Sequence, residues 1–293
     1  MSKIIATHNS TFHADDVFAV ATLLIIEPEA KIIRTRDENV INSADYVVDV
    51  GLVYDKDKKR FDHHQVGGAG KRENGIEYAS FGLVWKEYGE KIAGGIDEAR
   101  IIEKILAEPL DAHDNGMPLA SFFYDDVRYF TMVDFLYSYL PKDQNTEEEL
   151  YKIFTHVVDI AKNLILREVE RARIIVSDQK RVREIYKSSE DKRIIILDRE
   201  YSWVRTLMEY PEPLFAIYPR ADGKWSVKGV PESFKVYGSL RKRFPSSWGG
   251  KTDKDLAEVS GVNDAVFAHR GLFMAVAMSK EGAVELANKA INA

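Results

Sequence analysis

Residues 3–26 read KIIATHNSTFHADDVFAVATLLII, the pattern of a strand, a polar turn and a helix in direct succession. The apolar run Lys3–Thr7 predicts a first β-strand, and His8–Thr11 predicts the turn that follows it. From Asp15 onward the composition and spacing predict a helix with Asp15 or Asp16 in its first turn. A strand that leads through a polar turn into a helix is typical of parallel α/β folds.

The rest of the first half repeats this alternation of short apolar runs and longer helical patterns. The clearest of the later strands is YVVDV, residues 46–50, which a glycine follows. With this strand included, the later strands predicted for this half are Lys31–Arg34, Tyr46–Val50 and Arg60–His64, and the predicted helices are Glu77–Tyr88 and Asp97–Leu106.

The second half begins after a polar stretch, PKDQNTEEE at residues 141–149, which predicts a domain boundary. From Leu150 to Val176 the apolar residues keep a helical period without proline or glycine, which predicts a long helix between the two halves. The remainder predicts a smaller α/β unit with strands Arg193–Leu197, Leu214–Tyr218, Trp225–Gly229 and Ala265–His269 and a final helix, Lys280–Ile291.

We therefore predict an α/β protein with a parallel-sheet N-terminal domain and a smaller α/β C-terminal domain joined by a long helix. The predicted bounds are 1–141 for the first domain, 142–190 for the helical linker and 191–293 for the second domain.

The overall composition excludes several classes of function. The net charge of -6 argues against binding nucleic acid by bulk electrostatics, and the absence of cysteine excludes disulfides, thiolate zinc sites and a catalytic thiol. The N-terminus lacks a signal-peptide pattern, and no apolar run approaches 18 residues. We expect a cytoplasmic protein without a membrane partner, and the sequence leaves a monomer and a homodimer both open.

Five of the seven histidines lie in the first 113 residues, each close to an aspartate. Asp49 stands at the end of an otherwise apolar strand, so its carboxylate is expected at the C-terminal edge of the sheet, where open α/β folds bind ligands. The other members of the pattern are His8, His13, Asp15 and Asp16, then Asp62, His63 and His64, then Asp111, His113 and Asp114.

Imidazole and carboxylate ligands without thiolate suit manganese, magnesium, cobalt or iron. Two such ions roughly 3.5–4 Å apart can activate a water and hold both sides of a phosphoryl displacement. The sequence contains neither a GxSxG elbow nor a P-loop that would favour another chemistry. Each carboxylate also has a structural alternative taken alone: Asp15 or Asp16 at a helix N-terminus, Asp49 at a strand end, Asp62 in a turn and Asp111 in a loop.

Five motifs in the first half occur in a specific order: FHADDVFA, VVDVG, RFDHHQ, NGIEYASFGLVWKEYG and LDAHDNG. They resemble the melanocyte-proliferating-gene-one family, a branch of the DHH-type phosphoesterases first described as metal-dependent protein hydrolases. The stretch VSGVNDAVFAHRGLFMAVAMSKEGAVELANKAI resembles the C-terminal signature of that family, so the resemblance covers nearly the whole chain.

The resemblance implies a DHH-type N-terminal domain and a two-metal phosphoesterase that acts on RNA or oligonucleotides from the 3′ end. The implied cofactor is a pair of Mn²⁺ ions, with Mg²⁺ and Co²⁺ as alternatives. The implied ligands of the first ion are His8, His13 and Asp49, and those of the second are Asp15, Asp49, His63 and Asp111, with Asp49 as the bridge. Asp114 is an alternative to Asp111, because the motif offers both.

Two further residues receive catalytic roles from the resemblance. His64 matches the second DHH histidine, a candidate for holding the substrate phosphate or acting as an acid. Asp62 is expected to orient His63 or His64.

The second domain is expected to bind the substrate across a cleft. His269, Arg270 and Gly271 follow an apolar strand, where Arg270 can pair with a phosphate and glycine allows a close backbone approach. Arg220 and the basic stretch 241–243 are further candidates, with a solvated surface as the alternative explanation of the basic stretch. Trp248 is expected either to stack on a base or to lie in the core.

The predicted function is hydrolysis of RNA or short oligonucleotides by a 3′–5′ exonuclease. One alternative keeps the metals and changes the substrate to pyrophosphate, a dinucleotide or another small phosphoester, which the negative net charge favours. The other is a metal-binding module without catalysis that recognises RNA or a protein; the intact DHH tripeptide counts against it.

Overall fold

The computed structural model describes residues 2–121, 124, 126–141, 146–234, 236 and 238–293. The chain divides into two compact units, Met1–Arg173 and Ile174–Ala293. Within the described ranges, no helix combines the length and the apolar character needed to cross a bilayer. The predicted α/β fold class is confirmed, because each unit combines a five-stranded sheet with helices.

The first unit alternates strands and helices in its N-terminal part and is helical afterwards. Its strands are β1 (Ile4–Thr7), β2 (Lys31–Arg34), β3 (Tyr46–Val48), β4 (Tyr54–Asp55) and β5 (Arg60–Phe61). Its helices are α1 (Ala14–Ile26), α2 (Glu38–Ser43), α3 (Ser80–Ala93), α4 (Ile96–Ile102), α5 (Glu108–Asp114) and α6 (Met132–Tyr137), and a π-helical segment, Glu103–Ala107, joins α4 to α5. A 42-residue helix, α7 (Glu147–Ser188), follows.

The sheet of the first unit has the strand order β2-β1-β3-β5-β4. The four strands β2, β1, β3 and β5 run parallel, and only β4 is antiparallel to its neighbour. The carboxyl ends of β1, β3 and β5 therefore meet at one edge of the sheet, as the apolar runs predicted.

Two strands are shorter than predicted because the residues after them leave the extended conformation. Strand β3 ends at Val48, since Asp49 adopts the left-handed backbone conformation with φ 54°. Strand β5 ends at Phe61, since the next residue, Asp62, accepts a hydrogen bond from the backbone N–H of His64.

Helix α1 lies in the middle of the core of this unit, which explains its almost entirely apolar sequence. It packs against α3, and Phe18 of α1 contacts Phe81 of α3 with ring centroids 5.3 Å apart. The first part of α7 contributes Phe154, Val157 and Ile165 to the same core.

The unit boundary falls inside α7, whereas the sequence predicts a separate linker over residues 142–190. The residues of α7 before Ile174 belong to the first unit, and those after it bury Val182 and Tyr186 in a core of the second unit. The apolar stripe of the helix thus serves two cores in succession. The predicted boundary lies between residues 141 and 142, and residues 142–145 lie outside the described residues.

The second unit contains β6 (Ile194–Ile196), α8 (Val204–Met208), β7 (Phe215–Pro219), β8 (Trp225–Gly229), α9 (Asp253–Ser260), β9 (Ala265–Ala268), β10 (Met274–Ala277) and α10 (Lys280–Asn292). Its strand order is β6-β7-β8-β10-β9, with one parallel pair, β6–β7, and three antiparallel pairs. The predicted strands and final helix are present. Strand β10 was not predicted, and it turns the segment after β9 into a hairpin.

Candidate metal centre

Three side chains of the predicted metal site meet at the carboxyl edge of the parallel strands. His8 directly follows β1, Asp49 directly follows β3, and His63 lies two residues after β5. All three are buried. The parallel order of these strands thus brings together residues that are far apart in the sequence.

The carboxylate of Asp49 stands between two histidines. Its Oδ2 lies 3.3 Å from His8 Nε2, and its Oδ1 lies 3.5 Å from His63 Nε2. The hydroxyl of Ser80, the first residue of α3, donates a hydrogen bond of 3.1 Å to Asp49 Oδ1. Each oxygen of this carboxylate therefore faces a different histidine.

A first group of ligand atoms consists of His8, His13 and Asp49, whose ligand atoms lie within 4.8 Å of one another. The rings of His8 and His13 are 5.5 Å apart between centroids. The backbone N–H of His13 donates to Asp16 Oδ1 over 2.8 Å, which caps α1 and fixes the turn that carries both histidines.

A second group consists of Asp15, His63 and Asp114, again within 4.8 Å. The Nε2 of His63 lies 3.0 Å from Asp114 Oδ2 and 3.9 Å from Asp15 Oδ2. The N-terminus of α3 holds Asp15, because the backbone N–H groups of Ser80 and Phe81 donate to its two oxygens over 2.8 and 2.7 Å.

Asp111, the ligand preferred from the resemblance, belongs to neither group. Its Oδ1 accepts the backbone N–H of Gly82 over 2.9 Å, and its Oδ2 lies 2.8 Å from Arg72 Nη2. The structure therefore brings Asp114, the alternative, to His63. The reason is the register of α5: Asp114 is its last residue, whereas Asp111 is directed to α3 and Arg72.

His64 is the most exposed histidine of the cluster, with 51% of its side chain accessible to solvent. Its Nδ1 lies 2.9 Å from Asp62 Oδ1, and the other oxygen of Asp62 accepts the N–H of Leu52 over 2.7 Å. Asp62 is buried, and this contact is the one through which it would orient His64. A third group of ligand atoms within 4.8 Å of one another consists of Asp49, His63 and His64, and Asp62 does not belong to it.

Burial raises the pKa of two aspartates of the cluster. Burial, reinforced by Asp49, Asp114 and Asp111, raises the pKa of Asp15 well above its ordinary value. Burial also raises the pKa of Asp16 to about 7, although His8 opposes the rise.

The neighbouring aspartates raise the pKa of two histidines of the cluster. Burial alone would lower the pKa of His63, but its contacts with Asp114 and Asp49 outweigh this effect and raise the pKa to about 11. Burial likewise lowers the pKa of His8, and Asp49 and Asp16 raise it above its ordinary value. Burial raises the pKa of Asp49, but His63 and His8 hold it below its usual range. The cluster therefore favours cations beside ionised Asp49.

Several buried polar atoms of the cluster lack a hydrogen-bond partner among the described residues. They are His8 Nε2, His63 Nε2 and Asp16 Oδ2, and beside them Asp111 Oδ2, which has an ionic contact with Arg72 but no hydrogen bond. Buried groups of this kind are normally satisfied, so unpaired imidazole nitrogens beside carboxylates fit divalent cations. Nitrogen and carboxylate oxygen donors without thiolate suit manganese, cobalt or magnesium. The donor set thus fits the metal pair that the resemblance implies.

Three of the four predicted substrate-binding residues of the second unit, His269, Arg270 and Gly271, lie in the turn between β9 and β10. The N–H of Gly271 donates to His269 Nδ1 over 2.9 Å, so this amide is engaged within the turn. Arg243 Nη1 donates to the carbonyl of Gly271 over 2.9 Å. Arg270 is exposed, and its guanidinium has no hydrogen-bond or ionic partner in the described part of the chain.

Arg220 does not lie beside these residues. It follows β7 in the turn to β8, near Trp225, which pairs with Ala277 at the far end of β10. The turn of Arg270 adjoins the other end of β10, where Met274 pairs with Lys228. The two arginines therefore stand at opposite ends of the same strands, and Arg220 contacts Asp222 at 3.3 Å instead.

Arg241 and Trp248, two other candidates of the second unit, make structural contacts. Arg241 donates to the backbone carbonyls of Tyr210, Pro213 and Met208. Trp248 is 3% exposed and stacks on Phe244 at 5.7 Å between ring centroids. Trp248 is therefore a core residue, the second of the two predicted alternatives.

The sequence did not single out two residues that hold the site. Ser80 orients Asp49 and Asp15, and Arg72 binds Asp111. Ser80 lies in the quoted motif NGIEYASFGLVWKEYG, and Arg72 precedes it by two residues. Their proximity to this motif was the available signal, but neither residue type indicates a metal site by itself.

The model of the MYG1 exonuclease family, described as an uncharacterised protein family (UPF0160), matches residues 4–291. A MYG1 protein of Chlamydia pneumoniae is 30% identical over 291 residues, covering 95% of this chain and 93% of the relative. A MYG1 protein of Schizosaccharomyces pombe is 30% identical over 321 residues, covering 98% and 97%. The human protein named MYG1 exonuclease is 26% identical, covering 97% and 84%.

Among solved structures, the pGpG-specific phosphodiesterase PggH of Vibrio matches with a TM-score of 0.29 and 14% identity, covering 98% of this chain and 97% of that one. A TM-score this low supports no argument. The family model, in contrast, spans nearly the whole chain, and the resemblance inferred from the motifs is confirmed. The chain belongs to the MYG1 exonuclease family.

Proposed function

We propose that this chain is a two-metal phosphodiesterase that hydrolyses RNA or short oligonucleotides as a 3′–5′ exonuclease. Membership of the family supports a nuclease or phosphodiesterase activity, since the mouse and human relatives are named MYG1 exonuclease. Metal dependence, polarity and substrate are the proposed parts.

The observation that carries the proposal is the position of Asp49 between two ligand groups. One oxygen faces His8 and the other faces His63. A carboxylate with this arrangement is suited to bridge two cations. His8 and His13 would complete one site, and Asp15, His63 and Asp114 would complete the other.

A bound pair of manganese ions would supply positive charge at the transferring phosphoryl group and activate the attacking water. The residues of the chain determine where this occurs. Asp49 fixes the separation of the two sites, and Ser80 fixes the rotation of Asp49. His64, whose Nδ1 is held by Asp62, keeps about half of its side chain exposed to solvent, where the imidazole can bind a phosphate oxygen or donate a proton to the leaving group.

A second candidate function is hydrolysis of a small phosphoester, such as a dinucleotide or pyrophosphate, by the same centre. The net charge of -6 favours it, because long nucleic acids are bound largely through many cationic contacts. Salt dependence separates the two: a long RNA should give a steep loss of affinity with salt, and a dinucleotide a shallow one.

The test is cleavage of 5′-labelled RNA and DNA oligomers of several lengths in Mn²⁺ by the wild type and by Asp49→Asn. We expect a ladder that shortens from the 3′ end with the wild type and no ladder with the variant. Asp57→Asn is the matched control, because Asp57 is exposed in the β4–β5 turn and lies outside the cluster.

Failure of the wild type to cleave any oligomer, together with turnover of a dinucleotide or pyrophosphate, would select the small-substrate function. Bound manganese without turnover of any of these substrates would contradict both enzymatic proposals and favour a metal-binding module. Equal cleavage by Asp49→Asn would contradict the assigned metal centre.

A further inference from the structure

A second charged cluster contains Arg72, Asp111, Glu103 and Glu108. Arg72 is only 9% exposed, and Asp111 is fully buried. Arg72 Nε donates to Glu103 Oε1 over 2.8 Å, and Arg72 Nη2 lies 2.8 Å from Asp111 Oδ2. Glu108 lies 3.8 Å from Arg72. One buried guanidinium thus binds carboxylates from the π-helical segment and from α5.

The cluster connects two segments that carry residues of the metal centre. Arg72 lies in the loop that leads from the DHH tripeptide, residues 62–64, to α3. Asp111 lies on α5, three residues before Asp114, so the two aspartates are separated by about one helical turn. The loop is fixed at this point, because the N–H of Arg72 donates to Ile76 and the guanidinium lies 4.0 Å from the ring of Tyr78.

Helix α3 approaches Asp111 so closely that only glycine fits. A Cβ atom on Gly82 would stand 1.7 Å from Asp111 Oδ2 and 2.6 Å from Arg72 Nη2. The N–H of Gly82 donates to the other oxygen of Asp111. Asp111 is therefore held by α3 on one oxygen and by Arg72 on the other, which fixes α5 relative to α3.

The N-terminus of α3 holds Asp15 and Asp49, and α5 carries Asp114. A shift of α5 against α3 would change the separation of Asp114 from Asp15 and His63, which together form the second ligand group. Residues that orient metal ligands in this way typically change metal affinity when they are removed.

We propose that Arg72 and Asp111 are positioning residues that set Asp114 for the second metal ion, and that Asp111 is not a metal ligand. This inference rests on the proposed two-metal function. The ionic contact with Arg72 and the bond from Gly82 engage both oxygens of Asp111, whereas Asp114 Oδ2 lies 3.0 Å from His63.

The test is calorimetric titration of the full chain with Mn²⁺, with the thermal midpoint of each variant measured alongside. We expect two ions for the wild type and one for Asp114→Asn. Asp111→Asn keeps an acceptor for the Gly82 N–H and should bind two ions, with the weaker site about 10–100-fold weaker than in the wild type. Arg72→Met should do the same, and the double variant should be no worse than either single variant.

The matched controls are Asp97→Asn and Arg100→Met, which change an exposed aspartate–arginine pair on α4. Both should bind two ions with wild-type affinities. Where Arg72→Met fails to fold, Asp111→Asn alone still decides the question, because it preserves the shape of the side chain.

Three results would overturn the inference. Asp111→Asn that binds one ion, as Asp114→Asn does, would make Asp111 a ligand. Wild-type affinities in Asp111→Asn would reduce the pair to a purely structural role, and two ions in Asp114→Asn would remove the residue that the pair is said to position. Absence of any bound ion in the wild type would instead contradict the metal centre of the proposed function.

Discussion

The hydroxyl of Ser80 donates to Asp49 across 3.1 Å at the point where α3 begins. The same turn gives two backbone N–H groups to the carboxylate of Asp15. Helix N-termini favour negative charge because their first N–H groups have no partner within the helix. The first turn of α3 therefore holds Asp49, which the two proposed metal sites share, and Asp15, which belongs to the second ligand group. It thus links the two proposed sites.

Replacement of Ser80 by alanine should weaken manganese binding and lower kcat/KM by about 10–100-fold, because Asp49 loses its orienting bond. The backbone N–H groups that hold Asp15 remain, so the loss of stability should be limited to about 1–3 kcal/mol. Calorimetric titration with Mn²⁺ and oligonucleotide turnover check this. Ser138→Ala is the control, since the exposed hydroxyl of Ser138 bonds, among the described residues, only to a backbone carbonyl. Unchanged metal affinity in Ser80→Ala would show that Asp49 is oriented without it.

His64→Asn should retain both metal ions and lose about 10²–10⁴ of the turnover number, because its imidazole is proposed to serve the substrate and not the metals. Asp62→Asn should have a smaller effect of the same kind, since Asp62 acts by orienting His64. The measurements are metal stoichiometry and single-turnover cleavage. His156→Asn is the control, because His156 is exposed on α7. Loss of an ion in His64→Asn would instead identify His64 as a ligand.

The sequence predicted the edge of the sheet that carries the candidate site, because the apolar runs before His8, Asp49 and His63 have the character of parallel strands. Strands of that kind end at a common edge. The ligand types followed from composition. The choice between Asp111 and Asp114 did not follow, because both lie on the same short helix. The contacts that distinguish them come from Arg72 and Gly82, which are remote in sequence.

In the second unit, the strand pairing separates two residues that the sequence analysis grouped together. Arg220 and Arg270 were assigned to one substrate-binding set, since each follows an apolar strand. Strand β10 was overlooked, and its pairing with β8 determines which turns share an end of the sheet. The pairing of neighbouring strands depends on long-range contacts, and no local pattern contains it.

Addition of Mn²⁺ should stabilise the first unit, and chelation should reverse the effect. A ligand that binds only the folded chain contributes about 2.7 kcal/mol at a free concentration one hundred times Kd. For a unit of this size that corresponds to an increase in Tm of about 5–10 °C. Scanning calorimetry with Mn²⁺ and with a chelator checks the value. Asp49→Asn should lose most of the increase, and an equal increase in that variant would indicate binding elsewhere.

Gly82→Ala should destabilise the chain by about 3–5 kcal/mol, because the new methyl group must displace Asp111 from its contact with Arg72. Gly116→Ala is the control: Gly116 has φ 66° and open space around it, so alanine there meets only the backbone cost of about 1 kcal/mol. Chemical denaturation followed by circular dichroism compares the two. Similar losses of stability in both variants would contradict this, because they would show that a methyl group at position 82 is accommodated without breaking the contact between Asp111 and Arg72.

Arg270→Ala should raise KM for an RNA oligomer without changing kcat, because the exposed guanidinium lacks a partner in the described chain and is proposed to bind a phosphate. Loss of one phosphate contact should also lower the slope of log affinity against log salt by about one. Arg220→Ala is the matched comparison, since Arg220 stands at the opposite end of the sheet and contacts Asp222 and Ser226. Binding of a fluorescent oligomer at several salt concentrations separates the two variants. A change of slope in Arg220→Ala and none in Arg270→Ala would assign the phosphate contact to the other end of the sheet, because only a residue that neutralises a phosphate alters the number of counterions released.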